Sequence, residues 1–257
     1  LTVGFGSRNC IGPELEFGHV MGDHYDEPVV LIKIAWGGRS LYRDFRPPSA
    51  GIPDDTTLGE MLAKARENRP EATRDEIEEL FGADYRNMMR EIDSALTDMR
   101  RVFPDAGSRG YELAGFVWFQ GWNDMINEEA TAEYAENLAH LLRDVRNDLE
   151  QPDLPFVIGQ MGVDGLRTKN NKLVKFKRAQ AQVAQMGEFQ GTVALVKTDQ
   201  YWDTRAQKVF DKGWKENIDE WNTVGSDYPF HYLGSARTYS DIGKGFAEAL
   251  IKIRGRR

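Results

Sequence analysis

Gly115-Phe116-Val117-Trp118-Phe119-Gln120-Gly121-Trp122-Asn123-Asp124 runs an unbroken apolar stretch into a polar, glycine-containing close. Apolar residues in succession, without the alternation of a half-solvated strand, predict a strand covered on both faces, as in a parallel sheet. The run is taken as a strand over Leu113 to Phe119, and Val29 to Ala35, Pro155 to Met161 and Val193 to Thr198 share its character. Between the runs the apolar period changes to that of helices. From Glu128 to Leu149, the residues Tyr134, Leu138, Leu141, Leu142, Val145 and Leu149 form one stripe, which should pack on a sheet. Thr73 with Glu76 forms a capping box that opens a second long helix through Ile77, Leu80, Met88, Ile92, Leu96 and Met99 to Pro104, with a kink expected at Gly82. Shorter helices are expected at Pro13 to Met21, Leu58 to Arg66, Leu173 to Met186 and Ser240 to Ile253.

Strands alternating with helices predict right-handed crossovers and a mostly parallel sheet with helices on both faces, a three-layer α/β/α domain related to the flavodoxin-like topology. No linker, repeat or low-complexity run divides residues 1–257, so a single domain is expected. The net charge is −8, which offers no basic field for phosphates and argues against a nucleic-acid partner. No apolar stretch approaches the roughly 20 residues that span a bilayer, so no membrane partner is expected. Cys10 is the single cysteine and leaves no intrachain disulfide.

In such a sheet, chemistry gathers beyond the carboxyl ends of the strands. Those ends carry Trp36-Gly37-Gly38-Arg39-Ser40, Gln120-Gly121-Trp122-Asn123-Asp124, Gly162-Val163-Asp164 and Asp199-Gln200-Tyr201-Trp202. The amide of Asn123 can stabilise the oxygen that turns negative when an ester carbonyl is attacked. Asn123 and Asp124 also suit a plain turn. Glycines at 37 and 38 let the backbone approach a ligand closely, or make a tight turn with no catalytic part. His231 stands before the last helix, and an imidazole there can take a proton from a serine hydroxyl and return it to a leaving alcohol. His19, His24 and His140 belong to helices or their ends and are read as surface or packing residues.

Gly38 after a strand, Asn123 in Gly-Trp-Asn-Asp and the late His231 resemble three of the four signature blocks of SGNH hydrolases, in order. Longer strings narrow the likeness: Ile34-Ala-Trp-Gly-Gly-Arg-Ser-Leu41, Asp44-Phe-Arg-Pro-Pro-Ser-Ala-Gly51, Gly115 to Asp124, and His231-Tyr-Leu-Gly-Ser-Ala-Arg-Thr-Tyr239. Together they look like the sialate O-acetylesterase-like domain, which includes acetyl xylan esterases. The resemblance implies hydrolysis of acetyl esters on sugars or polysaccharide, with His231 as base, Asn123 and the Gly38 backbone as oxyanion donors, and neither metal nor organic cofactor. Arg46 is the candidate for a substrate or loop-ordering contact, while Arg39 and Arg43 suit surface pairing with acids. Gln120, Trp122 and Trp202 are the candidate substrate-binding residues at the strand ends, the two indoles as faces for sugar C–H groups.

Two departures from the family pattern stand out. Its nucleophile normally occupies a Gly-Gln-Ser-Asn block after a first strand, and no such string occurs here. The chain is therefore expected to begin after that strand and block, and to be inactive by itself. Gly4-Phe-Gly-Ser7-Arg-Asn9 is superficially similar, but three residues before Gly4 are too few for a core strand to hold Ser7. The pattern also puts an acid three residues before the histidine, where this chain has Tyr228. Asp227, Asp164 or a backbone carbonyl remain as partners for the imidazole. The rival to an esterase is a carbohydrate-binding pseudoesterase that keeps the cleft without a nucleophile. Family members acting on polysaccharide are commonly exported, so the resemblance favours a secreted or periplasmic protein.

Overall fold

The computed structural model describes residues 1–4, 8–103 and 110–255, so Ser7 and Pro104 lie outside the described residues. In chain order the helices are α1 (Glu14–His24), α2 (Asp55–Asn68), α3 (Arg74–Leu80), α4 (Ala83–Val102), α5 (Trp122–Met125), α6 (Glu128–Asp148), α7 (Asn171–Val183), α8 (Thr204–Asp211), α9 (Ile218–Trp221) and α10 (Ala236–Arg254). The strands are β1 (Phe116–Trp118), β2 (Phe156–Gln160) and β3 (Val193–Lys197). The chain divides into two compact units, Leu1–Lys33 with Ala114–Trp122 and Pro155–Arg257, and Ile34–Leu113 with Asn123–Leu154.

The first unit holds a parallel sheet of order β1-β2-β3, in register at Phe116 with Phe156 and at Phe156 with Val193. Successive side chains of a strand point to opposite faces, and β2 shows what covers each. A Cβ on Gly159 would come within 2.6 Å of Phe246 from α10, whereas the Gln160 side chain donates to the Lys177 carbonyl of α7 at 2.7 Å. Helices therefore cover both faces, and the architecture is the three-layer α/β/α of the expectation. Every residue of β2 is buried, which is why Phe156 to Ile158 run apolar without alternation and the one polar side chain, Gln160, is hydrogen-bonded. α10 also packs on α1, so closely that a Cβ on Gly243 would come 2.1 Å from the Pro13 carbonyl oxygen.

In the second unit α6 matches the expected stripe, with Tyr134, Leu138, Leu141, Leu142 and Val145 fully buried. Asn127 caps it by accepting from the Ala130 N–H at 3.0 Å. A cluster of Tyr42, Leu58, Ile77, Phe81 and Ala130 joins α2 and α3 to the loop before them.

Two expectations need correction. Val29 to Ala35 forms no strand among the described residues, because an apolar run becomes a strand only beside a paired neighbour; Val30 and Ile32 are 43% and 37% exposed. The helix from Thr73 is two helices rather than one kinked helix. The capping box at Thr73 forms, but Gly82 adopts φ +71°, a left-handed conformation that ends the helical path before α4. Among the described residues, no helix is long and apolar enough to cross a membrane.

Candidate active site

The first unit carries the histidine. Tyr228-Pro-Phe-His-Tyr-Leu-Gly234 winds as short 3-10 turns interrupted at Tyr232 and Leu233, whose φ values of 52° and 60° are left-handed. Such backbone costs about 1–3 kcal/mol per residue and persists only where its surroundings over-determine it. Leu233 is fully buried against Trp221, Ala206 and Val209. The Tyr232 hydroxyl accepts from the Gly162 N–H at 2.8 Å and pairs with Thr198 Oγ1 at 2.9 Å, and burial pushes its pKa well above the ordinary range. The Leu233 carbonyl accepts from the N–H groups of Ser226 and Asp227, which brings the acid back over the turn.

His231 emerges from this turn with Nδ1 2.9 Å from Asp227 Oδ2. The other oxygen of Asp227 accepts the Tyr228 N–H at 2.7 Å, so the carboxylate is aimed from both sides. Tyr239 of α10 donates its hydroxyl to the His231 carbonyl at 3.1 Å, and burial, aided by the Asp227 charge, pushes the pKa of that phenol up to about 12. Asp227, not Asp164, is thus the carboxylate on the imidazole. An acid four residues before the histidine reaches it because the chain turns back on itself between them.

The second unit carries the amide. Gly38 has φ +71°, and a Cβ there would stand 4.0 Å from Asn123 Nδ2, so the amide overlooks the open side of the glycine backbone. Asp124, fully buried, fixes that arrangement: its Oδ2 accepts from the Leu41 N–H and its Oδ1 from the Tyr42 N–H, both at 2.9 Å. Asp44 binds the Ser40 N–H at 2.7 Å and the Arg43 guanidinium at 2.8 Å, while Arg39 Nε lies 3.0 Å from Asp84. An amide N–H held beside a glycine that carries no side chain is the kind of donor that can stabilise an oxyanion.

Of the two contacts expected of Arg46, to substrate or to its own loop, the loop contact is the one made. Arg46 is 7% exposed and its N–H groups go to the carbonyls of Gly51, Tyr42 and Ala50 and to Glu133, so it orders the loop. Trp202 is half-buried, its indole N–H donating to Gln207 at 3.1 Å and its ring covering Gly165. Trp122 is half-buried, 5.6 Å from the Phe230 ring, and Gln120 is half-buried with its carbonyl accepting from Gln180 at 3.3 Å. His140 joins Ser49 at 2.7 Å between its Nδ1 and the serine Oγ, which pins the loop after Pro48 to α6. Sequence reasoning missed Asp124 and Tyr232 as positioning residues. An acid beside Asn123 at a helix start was the available signal for Asp124, while Tyr232 carried none.

No curated protein matches the chain. A solved structure of a protein from Arabidopsis thaliana is similar in fold, with a TM-score of 0.53 at 15% identity, covering 98% of this chain and 73% of that one. The family model described as carbohydrate esterase, sialic acid-specific acetylesterase matches residues 2–212, a span that includes Gly38 and Asn123 and stops short of Asp227 and His231. The chain therefore belongs to the sialic acid-specific acetylesterase family of carbohydrate esterases.

Proposed function

We propose that the protein hydrolyses O-acetyl esters on carbohydrate by acyl transfer through a serine. The observation that carries this reading is the pairing of His231 with Asp227 at 2.9 Å on a turn whose strained backbone is held by buried groups. A binding module has no need of an oriented imidazole at the cost of such a turn. His231 Nε2 takes the proton of the serine hydroxyl as its oxygen attacks the acetyl carbonyl, while Nδ1–H donates to Asp227. The carbonyl oxygen becomes an oxyanion, stabilised by Asn123 Nδ2–H and a backbone N–H at Gly38. His231 then gives its proton to the departing sugar oxygen. Water repeats the sequence on the acetyl-serine and releases acetate.

A serine-directed fluorophosphonate tests the reading. One serine is expected to be labelled, identified by peptide mass spectrometry, and its labelling is expected to collapse in His231→Ala. Absence of any labelled serine, in a protein that also fails to turn over acetyl esters, would favour the non-catalytic carbohydrate-binding alternative.

A further inference from the structure

Four aromatic rings follow one another beside the His231–Asp227 pair. Trp214 meets Tyr228 edge to face at 6.2 Å, Tyr228 lies parallel to Phe230 within 6° at 5.5 Å, and Phe230 lies 5.6 Å from Trp122. Phe230 also touches the imidazole itself, at 4.6 Å between ring centroids. Tyr228 and Phe230 are 49% and 40% exposed, so two adjoining rings of the row reach solvent together rather than singly. The row is rooted rather than loose: Trp214 packs on the buried Trp221, and Pro229 fixes the backbone between the two exposed rings.

We infer that this row is a subsite for a neutral polysaccharide chain, in which Tyr228 and Phe230 carry the sugar rings flanking the acetylated one. The inference rests on the reading of His231 as the catalytic base, which sets the row beside the ester. Pyranose rings present C–H groups on their faces, and rigid aromatic surfaces accept them at small entropic cost. Rings in succession suit a ligand of several sugars rather than a monosaccharide. The charge nearest the imidazole is the Asp227 carboxylate, which opposes an anionic sugar there, while Lys215 stands over Trp214 at the far end. Tyr228 occupies the position where the family pattern has an acid, so the residue that departs from the pattern becomes part of the binding surface.

Calorimetric titration of the full chain with xylohexaose, cellohexaose and mannohexaose, beside xylobiose and N-acetylneuraminic acid, tests this. At least one neutral hexasaccharide is expected to bind about tenfold or more tighter than the disaccharide and the anionic monosaccharide. Tyr228→Ala and Phe230→Ala are each expected to weaken it roughly three- to tenfold, with unchanged circular dichroism. Tyr111→Ala, at an exposed tyrosine outside the row, is the control and should bind as the unsubstituted chain does. No binding of any neutral hexasaccharide, equal binding by the Tyr228 and Phe230 variants, or preference for the anionic sugar overturns the inference. Turnover of 4-nitrophenyl acetate by the protein is read separately. Turnover without hexasaccharide binding removes the row and keeps the esterase; binding without turnover removes the esterase.

Discussion

Asn123 and His231 are asked to do different things, and their substitutions should separate accordingly. An oxyanion donor acts on charge present only in the transition state, so Asn123→Ala should lower kcat by roughly 100- to 1000-fold and move KM little. Near-normal kcat on an acetyl ester would end that assignment. Asp227→Asn keeps the shape of the side chain on His231 Nδ1 but removes the charge that opposes the imidazolium, and a loss of kcat on the order of 10² to 10⁴ is expected. A loss below threefold in that variant would mean that the 2.9 Å contact is structural only. Asn123 and His231 could be singled out from the chain because an asparagine closing an apolar run and a histidine just before the last helix are chemically conspicuous. Asp124 was conspicuous as an acid beside Asn123, but its partners were not legible, since they are backbone N–H groups more than 80 positions away and backbone donors leave no trace in a sequence.

At the scale of elements, the helices were legible where a stripe and a cap coincide, as at Asn127 with α6 and Thr73 with α3. The failures came where the outcome depends on a neighbour. Val29 to Ala35 carries the composition of a buried strand, but pairing is a property of two segments and the run displays only one of them. Gly82 was readable as a weak point but not as a full stop, because the decisive fact is the Arg46 carbonyl lying 2.7 Å from where its Cβ would be. Gly82→Ala therefore combines a left-handed alanine with a backbone clash and should cost about 1–3 kcal/mol, seen as a Tm several degrees lower. An unchanged Tm would mean that the α3–α4 junction is free to reshape.

Across the whole molecule, phenols are held out of water in both units. Burial raises the pKa of Tyr85, Tyr201, Tyr232 and Tyr239, and for Tyr42 burial is joined by a hydrogen bond to Glu129. A folded-state pKa above the unfolded value of about 10 means that stability is fully present below that pH and is lost as pH rises toward the folded value. For Tyr239 that window runs from about 10 to about 12. Alkaline titration should therefore show tyrosinate absorbance rising in two parts, exposed phenols first and these only together with loss of circular dichroism. Ionisation of every tyrosine before any loss of structure would contradict the burial described. The left-handed turn at Tyr232 and Leu233 also divides the labour of selection. In a saturation library sorted first for soluble expression and then for turnover, position 231 should tolerate many letters in the first sort and almost none in the second. Position 232 should be purged in the first, so that the codons which keep the machine standing and those which make it run fall in adjacent triplets.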